Sequence, residues 1–205
     1  MRKKSFREEF VKVAFMGPGA SGKTCIVHRL VGKKFSEEYE PTVFDFYDYE
    51  SKVDNTCRLS LQISDTAGAF SFPAMDRLTI QKSDVVVVVF DLTSMGSLKQ
   101  AMKLAKEIRG DNPKKAVLVI GNKSDLALRV AAKKELENTI TCNLQMGYCE
   151  LSAKYDDVSA DLIPRIAEEF AISKGPYDVK RSRKPLSAKF KRKLSKSTEN
   201  LLDLF

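Results

Sequence analysis

Gly17-Pro18-Gly19-Ala20-Ser21-Gly22-Lys23-Thr24 decides the fold of this chain. It matches the pattern G-x-x-x-x-G-K-[ST], in which glycines let the backbone curl so that successive N–H groups point at one anion. Lys23 reaches the outer phosphates of a polyphosphate, and the Thr24 hydroxyl is placed to ligate Mg²⁺. The flanks agree. Residues 10–15 alternate as a buried strand does, and residues 24–31 carry apolar side chains at helical spacing. A strand, a glycine loop and a helix N-terminus in that order form an anion site that the helix dipole favours. Gly17, Gly19, Ala20, Ser21, Gly22, Lys23, Thr24 and Cys25 are the candidate contacts on this side.

Outward from this loop, strand-like and helix-like segments alternate. Residues 43–52 and 58–64 read as two strands joined by a turn around Asp54-Asn55. Asp84-Val85-Val86-Val87-Val88-Val89-Phe90 is a continuous apolar run, which suits a parallel strand covered on both faces, and Ala116-Val117-Leu118-Val119-Ile120 repeats it. Residues 146–150 read as a short last strand. Helices are predicted at about 72–82, 94–109, 128–140 and 158–173, with Ser94 as N-cap of the second and Asp111-Asn112-Pro113 as its stop. This alternation predicts an α/β fold: a six-stranded, mostly parallel sheet with helices on both faces. Ligands in such folds bind at the carboxyl ends of the strands.

The chain of 205 residues has a formal net charge of +8, but the charge is uneven. Residues 1–179 hold 26 Lys/Arg against 25 Asp/Glu, and residues 180–205 hold 9 against 2. The body is neutral and the tail cationic, which argues against a nucleic-acid-binding domain. No apolar run is long enough to span a membrane, and the basic N-terminus leads into Glu8-Glu9 rather than a secretory signal. Cys25, Cys57, Cys142 and Cys149 show neither metal-ligand nor redox spacing and read as reduced thiols of a cytosolic protein.

Further motifs follow in a fixed order. Asp65-Thr66-Ala67-Gly68 ends the second strand of the hairpin, where Asp65 can hold Mg²⁺ through water and the Gly68 N–H can approach a terminal phosphate. Asn122-Lys123-Ser124-Asp125 ends the strand at 116–120, where a carboxylate can accept two hydrogens from a guanine edge. Ser152-Ala153-Lys154 ends the last strand, where a backbone N–H can meet the guanine oxygen. Tyr39-Glu40-Pro41-Thr42 lies after the first helix, with Thr42 placed to complete the Mg²⁺ shell. Each tetrapeptide alone is commonly a surface turn. Their joint order, each at a strand end or loop, carries the argument.

With these motifs, residues 10–175 resemble a Ras-superfamily small GTPase, which implies a P-loop NTPase G domain. The resemblance implies binding of GTP and GDP with Mg²⁺, slow hydrolysis, and two switch loops that order around the γ-phosphate. It makes Lys23, Thr42 and Gly68 part of the catalytic apparatus, and Thr24, Thr42 and Asp65 the metal residues. Phe35 would stack on the guanine, with Tyr39 nearby. Asn122, Lys123 and Asp125 would read the base, with Ser152, Ala153 and Lys154 beside it. Effector proteins, an exchange factor and a GTPase-activating protein would meet the switch loops of a monomer.

The chain departs from the family at one decisive position. Most Ras-type enzymes carry a Gln after Asp-Thr-Ala-Gly to orient the attacking water, and here that residue is Ala69. Slow hydrolysis is expected, or, alternatively, a constitutively GTP-bound adaptor. Phe72-Pro73-Ala74-Met75-Asp76-Arg77-Leu78 is similar to the second switch of the Di-Ras and dexamethasone-induced Ras branches. Pro41-Thr42-Val43-Phe44-Asp45 is closer to Rho. Only 29 residues separate Asn122 from Ser152, which leaves no room for the inserted helix of Rho proteins, so a divergent Ras-branch member is expected.

Residues 1–9 read as a basic N-terminal extension and residues 176–205 as a polybasic amphipathic tail. Leu186, Phe190, Leu194, Leu201 and Phe205 fall at three- to four-residue steps, allowing for one skipped turn, among Lys180, Arg181, Arg183, Lys184, Lys189, Lys191, Arg192, Lys193 and Lys196. Such a segment suits an anionic membrane surface or calmodulin. The last residues lack a prenylation cysteine, and the tail resembles those of Rit and the Rad/Gem group. Ser195, three residues after Arg192, is a candidate phosphosite and so a 14-3-3 contact. The expected location is cytoplasmic, peripheral at the inner face of the plasma membrane.

Overall fold

The computed structural model describes residues 7–38, 40–52, 57–68 and 73–174. The elements are β1 (Arg7–Met16), α1 (Lys23–Leu30), β2 (Phe44–Lys52), β3 (Cys57–Thr66), α2 (Pro73–Lys82) and β4 (Val85–Asp91). There follow α3 (Met95–Asp111), β5 (Ala116–Asn122), α4 (Lys133–Glu137), a π-helical turn (Asn138–Asn143), β6 (Gly147–Leu151) and α5 (Val158–Ser173). The six strands form one sheet in the order β2-β3-β1-β4-β5-β6. Only the β2–β3 pair is antiparallel, with Phe44 opposite Thr66 and Lys52 opposite Arg58. The expected α/β architecture is therefore present.

Strand periodicity explains the layering. In β1, Val11, Val13 and Phe15 face the core under α1 and α5, while Ala14 and Met16 face the one under α3. In β4, Val85, Val87 and Val89 join the first core and Val86, Val88 and Phe90 the second, all at 0% exposure. Each such side chain contributes about 1.5 kcal/mol or more on burial, so the continuous apolar run of β4 is the sequence expression of a two-sided sheet. The Ser94 hydroxyl caps α3 by accepting from the Ser97 N–H (3.2 Å), as its sequence predicts.

Two boundaries differ from the sequence expectation. β1 begins at Arg7, so residues 7–9, assigned above to an N-terminal extension, pair with residues 57–59 of β3. The helix expected at 128–140 starts only at Lys133 and passes at Asn138 into the π-helical turn. Leu128 to Ala132 lie outside any helix because Val130 turns back to the core: its N–H donates to the Leu92 carbonyl (3.0 Å), and its side chain packs beside α3. Tertiary pairing here overrides the helical spacing of the apolar residues.

The carboxyl ends of the parallel strands converge at one pole of the molecule. At the other pole, α5 ends beside the start of β1, where Lys174 Nζ lies 3.0 Å from Glu9 Oε2. No helix among the described residues is long and apolar enough to cross a membrane. Cys25, Cys142 and Cys149 are free thiols. The tail at 176–205, including Ser195, lies outside the described residues.

Candidate functional site

A cavity of about 830 Å³ opens at the carboxyl pole of the sheet. Ala20, Gly22, Lys23, Thr24, Cys25, Phe35, Thr42, Gly68, Asn122, Lys123, Asp125, Ala153 and Lys154 line it, so most of the sequence candidates meet in one place. Gly17, Gly19, Ser21, Asp65 and Ser152 are not part of that lining, and Ser21, Asp65 and Ser152 are buried. Tyr39 and Ala69 lie outside the described residues.

On the phosphate side, the glycine loop wraps the start of α1. Lys23 is nearly buried, and its ammonium donates to the Gly17 (3.1 Å) and Pro18 (3.0 Å) carbonyls. Burial lowers the Lys23 pKa from the ordinary lysine value, against the opposing pull of Asp65 and Asp76. Gly68 packs so closely that a Cβ there would collide with Lys23 Nζ and the Gly19 backbone. A glycine is therefore required for this loop to approach the phosphate cradle. Cys25 is partly buried against the core, and burial pushes its thiol up.

The metal residues also converge. Thr24 Oγ1 and Thr42 Oγ1 lie 2.7 Å apart, although the residues are 18 positions apart in the chain. Asp65 is fully buried beside them, and neither carboxylate oxygen has a hydrogen-bond partner. Burial pushes its pKa up to about 6, with the nearby Thr24 hydroxyl and Lys23 ammonium pulling it down and Asp45 adding to the rise. A buried carboxylate of this kind is costly unless a cation compensates it. Two hydroxyls and a carboxylate are hard oxygen donors, which fit Mg²⁺. No group of three or more His, Cys, Asp or Glu among the described residues could hold a metal alone, so phosphate oxygens and water would complete the shell.

The base side is a hydrogen-bonded frame. The Ser152 hydroxyl donates to Asp125 Oδ1 (2.6 Å) and accepts from the Lys154 (3.3 Å) and Tyr155 (3.2 Å) N–H groups. Ser152 thus aims the exposed Asp125 carboxylate at the cavity. Lys123 adopts φ +66°, a left-handed conformation uncommon outside glycine, and its ammonium pairs with Asp91 Oδ2 at 2.6 Å. Burial would raise the Asp91 pKa, but the hydrogen bonds from Lys123 and Thr93 outweigh it and hold the carboxyl below its usual range. Phe35 is half-buried, packed on the core under α1 and facing the cavity.

Asn122, which lines the cavity, also has a structural role that the sequence did not show. Its Nδ2 donates to the Ser21 carbonyl (2.9 Å), and its Oδ1 accepts from the Ala153 N–H (3.1 Å). Only 2% of it is exposed, so its amide ties the phosphate loop to the Ser152-Ala153-Lys154 loop. Gly22, at φ +90°, leaves the space this amide fills, because a Cβ there would overlap it. Both facts were hidden in the sequence: the partners of Asn122 lie 101 and 31 positions away.

Three contributors escaped the sequence reading. Asp91 ends β4 much as Asp65 stands next to the end of β3, and that repeated position could have revealed it. Glu37 lines the cavity and meets Lys154 Nζ at 2.6 Å. His28, also in the lining, shares a 3.0 Å hydrogen bond with the Tyr47 hydroxyl, which fastens β2 to α1.

Comparison with known proteins agrees with this geometry. The model of the Ras family matches residues 12–171. The GTP-binding protein drn-1 of Caenorhabditis elegans is 30% identical over 159 residues, covering 76% of this chain and 73% of drn-1. The GTP-binding protein Di-Ras2 of Mus musculus is 34% identical over 146 residues, covering 70% of this chain and 73% of Di-Ras2. The Rho-related GTP-binding protein RhoE of Homo sapiens is 30% identical over 192 residues, covering 87% of this chain and 78% of RhoE.

Proposed function

The chain belongs to the Ras family of small GTP-binding switches, and on that premise we propose that it binds GTP and GDP with Mg²⁺ and hydrolyses GTP slowly, at a membrane surface. Members of the family are GTPases that work through effectors and regulators, and their two nucleotide states are two shapes of the switch loops. The observation that carries the reading is the meeting of the Thr24 and Thr42 hydroxyls beside the orphaned Asp65 carboxylate. It joins the first switch loop to the phosphate loop at the point where Mg²⁺ fits. The metal would supply charge neutralisation for the phosphates. Lys23 and the loop N–H groups would bind their oxygens, and Asp125 would select guanine through its ring and exocyclic N–H groups.

Slow turnover follows from Ala69. A methyl group has no polar atom to orient the attacking water, so acceleration rests on electrostatic stabilisation by Lys23 and Mg²⁺ or on a group from a partner. The same residue favours a second reading, a constitutively GTP-bound adaptor with negligible hydrolysis. Identification of the nucleotide in purified protein, followed by single-turnover phosphate release with and without cell extract, separates the two. Release stimulated by extract supports the switch. Release absent in both supports the adaptor, and absence of bound guanine nucleotide refutes both.

The basic tail would place the molecule at the inner face of the plasma membrane. Nine cationic side chains at about 1 kcal/mol each near anionic lipid suffice for reversible binding. Phosphorylation of Ser195 would offset part of that charge, and calmodulin or 14-3-3 would compete for the released segment.

A further inference from the structure

We propose that the ion pair between Glu37 and Lys154 is a latch on the nucleotide mouth, and that its breakage controls the rate of nucleotide release. The inference rests on the guanine-nucleotide reading above. The two residues are 117 positions apart and meet at 2.6 Å, a charge-assisted contact between the loop that follows α1 and the loop that follows β6. Lys154 lowers the Glu37 carboxyl pKa, and Glu37 raises that of Lys154, so both are charged near neutrality. Both side chains line the cavity, one on each of two walls that share no strand.

The position of the pair gives it leverage. Phe35, two residues before Glu37, packs on the core under α1, and Thr42, five residues after it, meets Thr24. Between these two anchors the loop is held to the opposite wall by Glu37. Lys154 is in turn fixed at its backbone, where its N–H donates to the Ser152 hydroxyl that orients Asp125. A nucleotide in the cavity would lie between Phe35 and the Ser152–Lys154 loop, and the ion pair ties those two walls together. The side chains are 76% and 39% exposed, so the latch is weak and sensitive to salt, as a release gate must be. It is a positioning device: Glu37 acts through Lys154 and the loop, not on the reacting atoms.

The test is a double-mutant cycle on the full chain loaded with fluorescent GDP and chased with unlabelled GDP. Glu37→Gln keeps the size and removes the charge, and Lys154→Met keeps the hydrocarbon stem. At low salt, Glu37→Gln is expected to release GDP about two- to fivefold faster than wild type, the range of an exposed pair. The difference is expected to shrink near 1 M salt, where the screening length falls to about 3 Å. In the Lys154→Met background, Glu37→Gln should add nothing. The thermal midpoint measured without nucleotide should fall by no more than about 2–4 °C, the shift that about 1 kcal/mol gives a chain of this size, so a larger fall would mean general destabilisation rather than a latch. Equal release from Glu37→Gln and wild type at low salt, or the same factor in both backgrounds, overturns the latch while leaving the GTP-binding reading intact. Failure of wild type to retain labelled GDP overturns the reading on which both rest.

Discussion

Asn122→Ala tests whether the base corner is a frame or a set of readers. The amide makes two buried hydrogen bonds, at 2.9 Å to the Ser21 carbonyl and 3.1 Å from the Ala153 N–H. Alanine removes both and leaves a carbonyl and an N–H unpaired in a site that is 2% exposed. Each lost bond and stranded group costs about 1–2 kcal/mol, so the variant should lose about 2–4 kcal/mol of folding stability. With a urea slope of about 2 kcal/mol/M, the unfolding midpoint drops by about 1–2 M. The assay is urea unfolding in EDTA without nucleotide, so that ligand linkage adds nothing to the difference. Asp125→Ala is the control. Asp125 is exposed and loses one hydrogen bond, so its midpoint should move far less while guanine affinity collapses. If nucleotide-free Asn122→Ala unfolds at the wild-type midpoint yet has lost nucleotide affinity, the amide serves the ligand, and its assignment as a strut is wrong.

Other perturbations separate chemistry, titration and targeting. Ala69→Gln should raise single-turnover hydrolysis by about tenfold or more, a barrier change of about 1.4 kcal/mol; no increase would mean the defect lies elsewhere in the site. Glu169 on α5 packs over Gly147, where burial, then the neighbouring Glu168, pushes its pKa up to about 7 from 4.5 against the pull of Arg109 and Arg165. The folded state holds a proton that the unfolded chain gives up, so this contribution is complete below pH 4.5 and is lost as pH rises through about 7. Glu169→Gln should therefore match wild type near pH 4.5 and exceed its stability by about 1–3 kcal/mol at pH 8, read by chemical denaturation; a gap independent of pH would refute the assignment. Removal of residues 180–205 should abolish binding to phosphatidylserine vesicles without changing GDP affinity; retention on the vesicles would place the membrane contact elsewhere.

The contrast between β4 and Asn122 shows what the sequence makes legible. Val85 to Phe90 are apolar at every position, and only a strand covered on both faces buries such a run. The placement of the glycine loop and Asp125 at the cavity was equally readable, because it follows from their own residue types and spacing. Asn122 was not, because its partners are backbone atoms of two other loops, and no local pattern encodes them. The Glu37–Lys154 pair was hidden for the same reason. The segment at 128–132 misled in the opposite direction. Its apolar spacing suits a helix, but a hydrogen bond from Val130 to Leu92 holds it against the core instead.

The Lys174–Glu9 contact fixes an orientation. It sets the end of α5 at the amino ends of the strands, while the cavity opens at their carboxyl ends. β1 alone, at 10 residues and about 3.3 Å per residue, spans about 33 Å between the two poles. A tether attached directly after Lys174 would leave the body at the pole opposite the nucleotide cavity. A nucleotide could then exchange without the molecule leaving its anchorage.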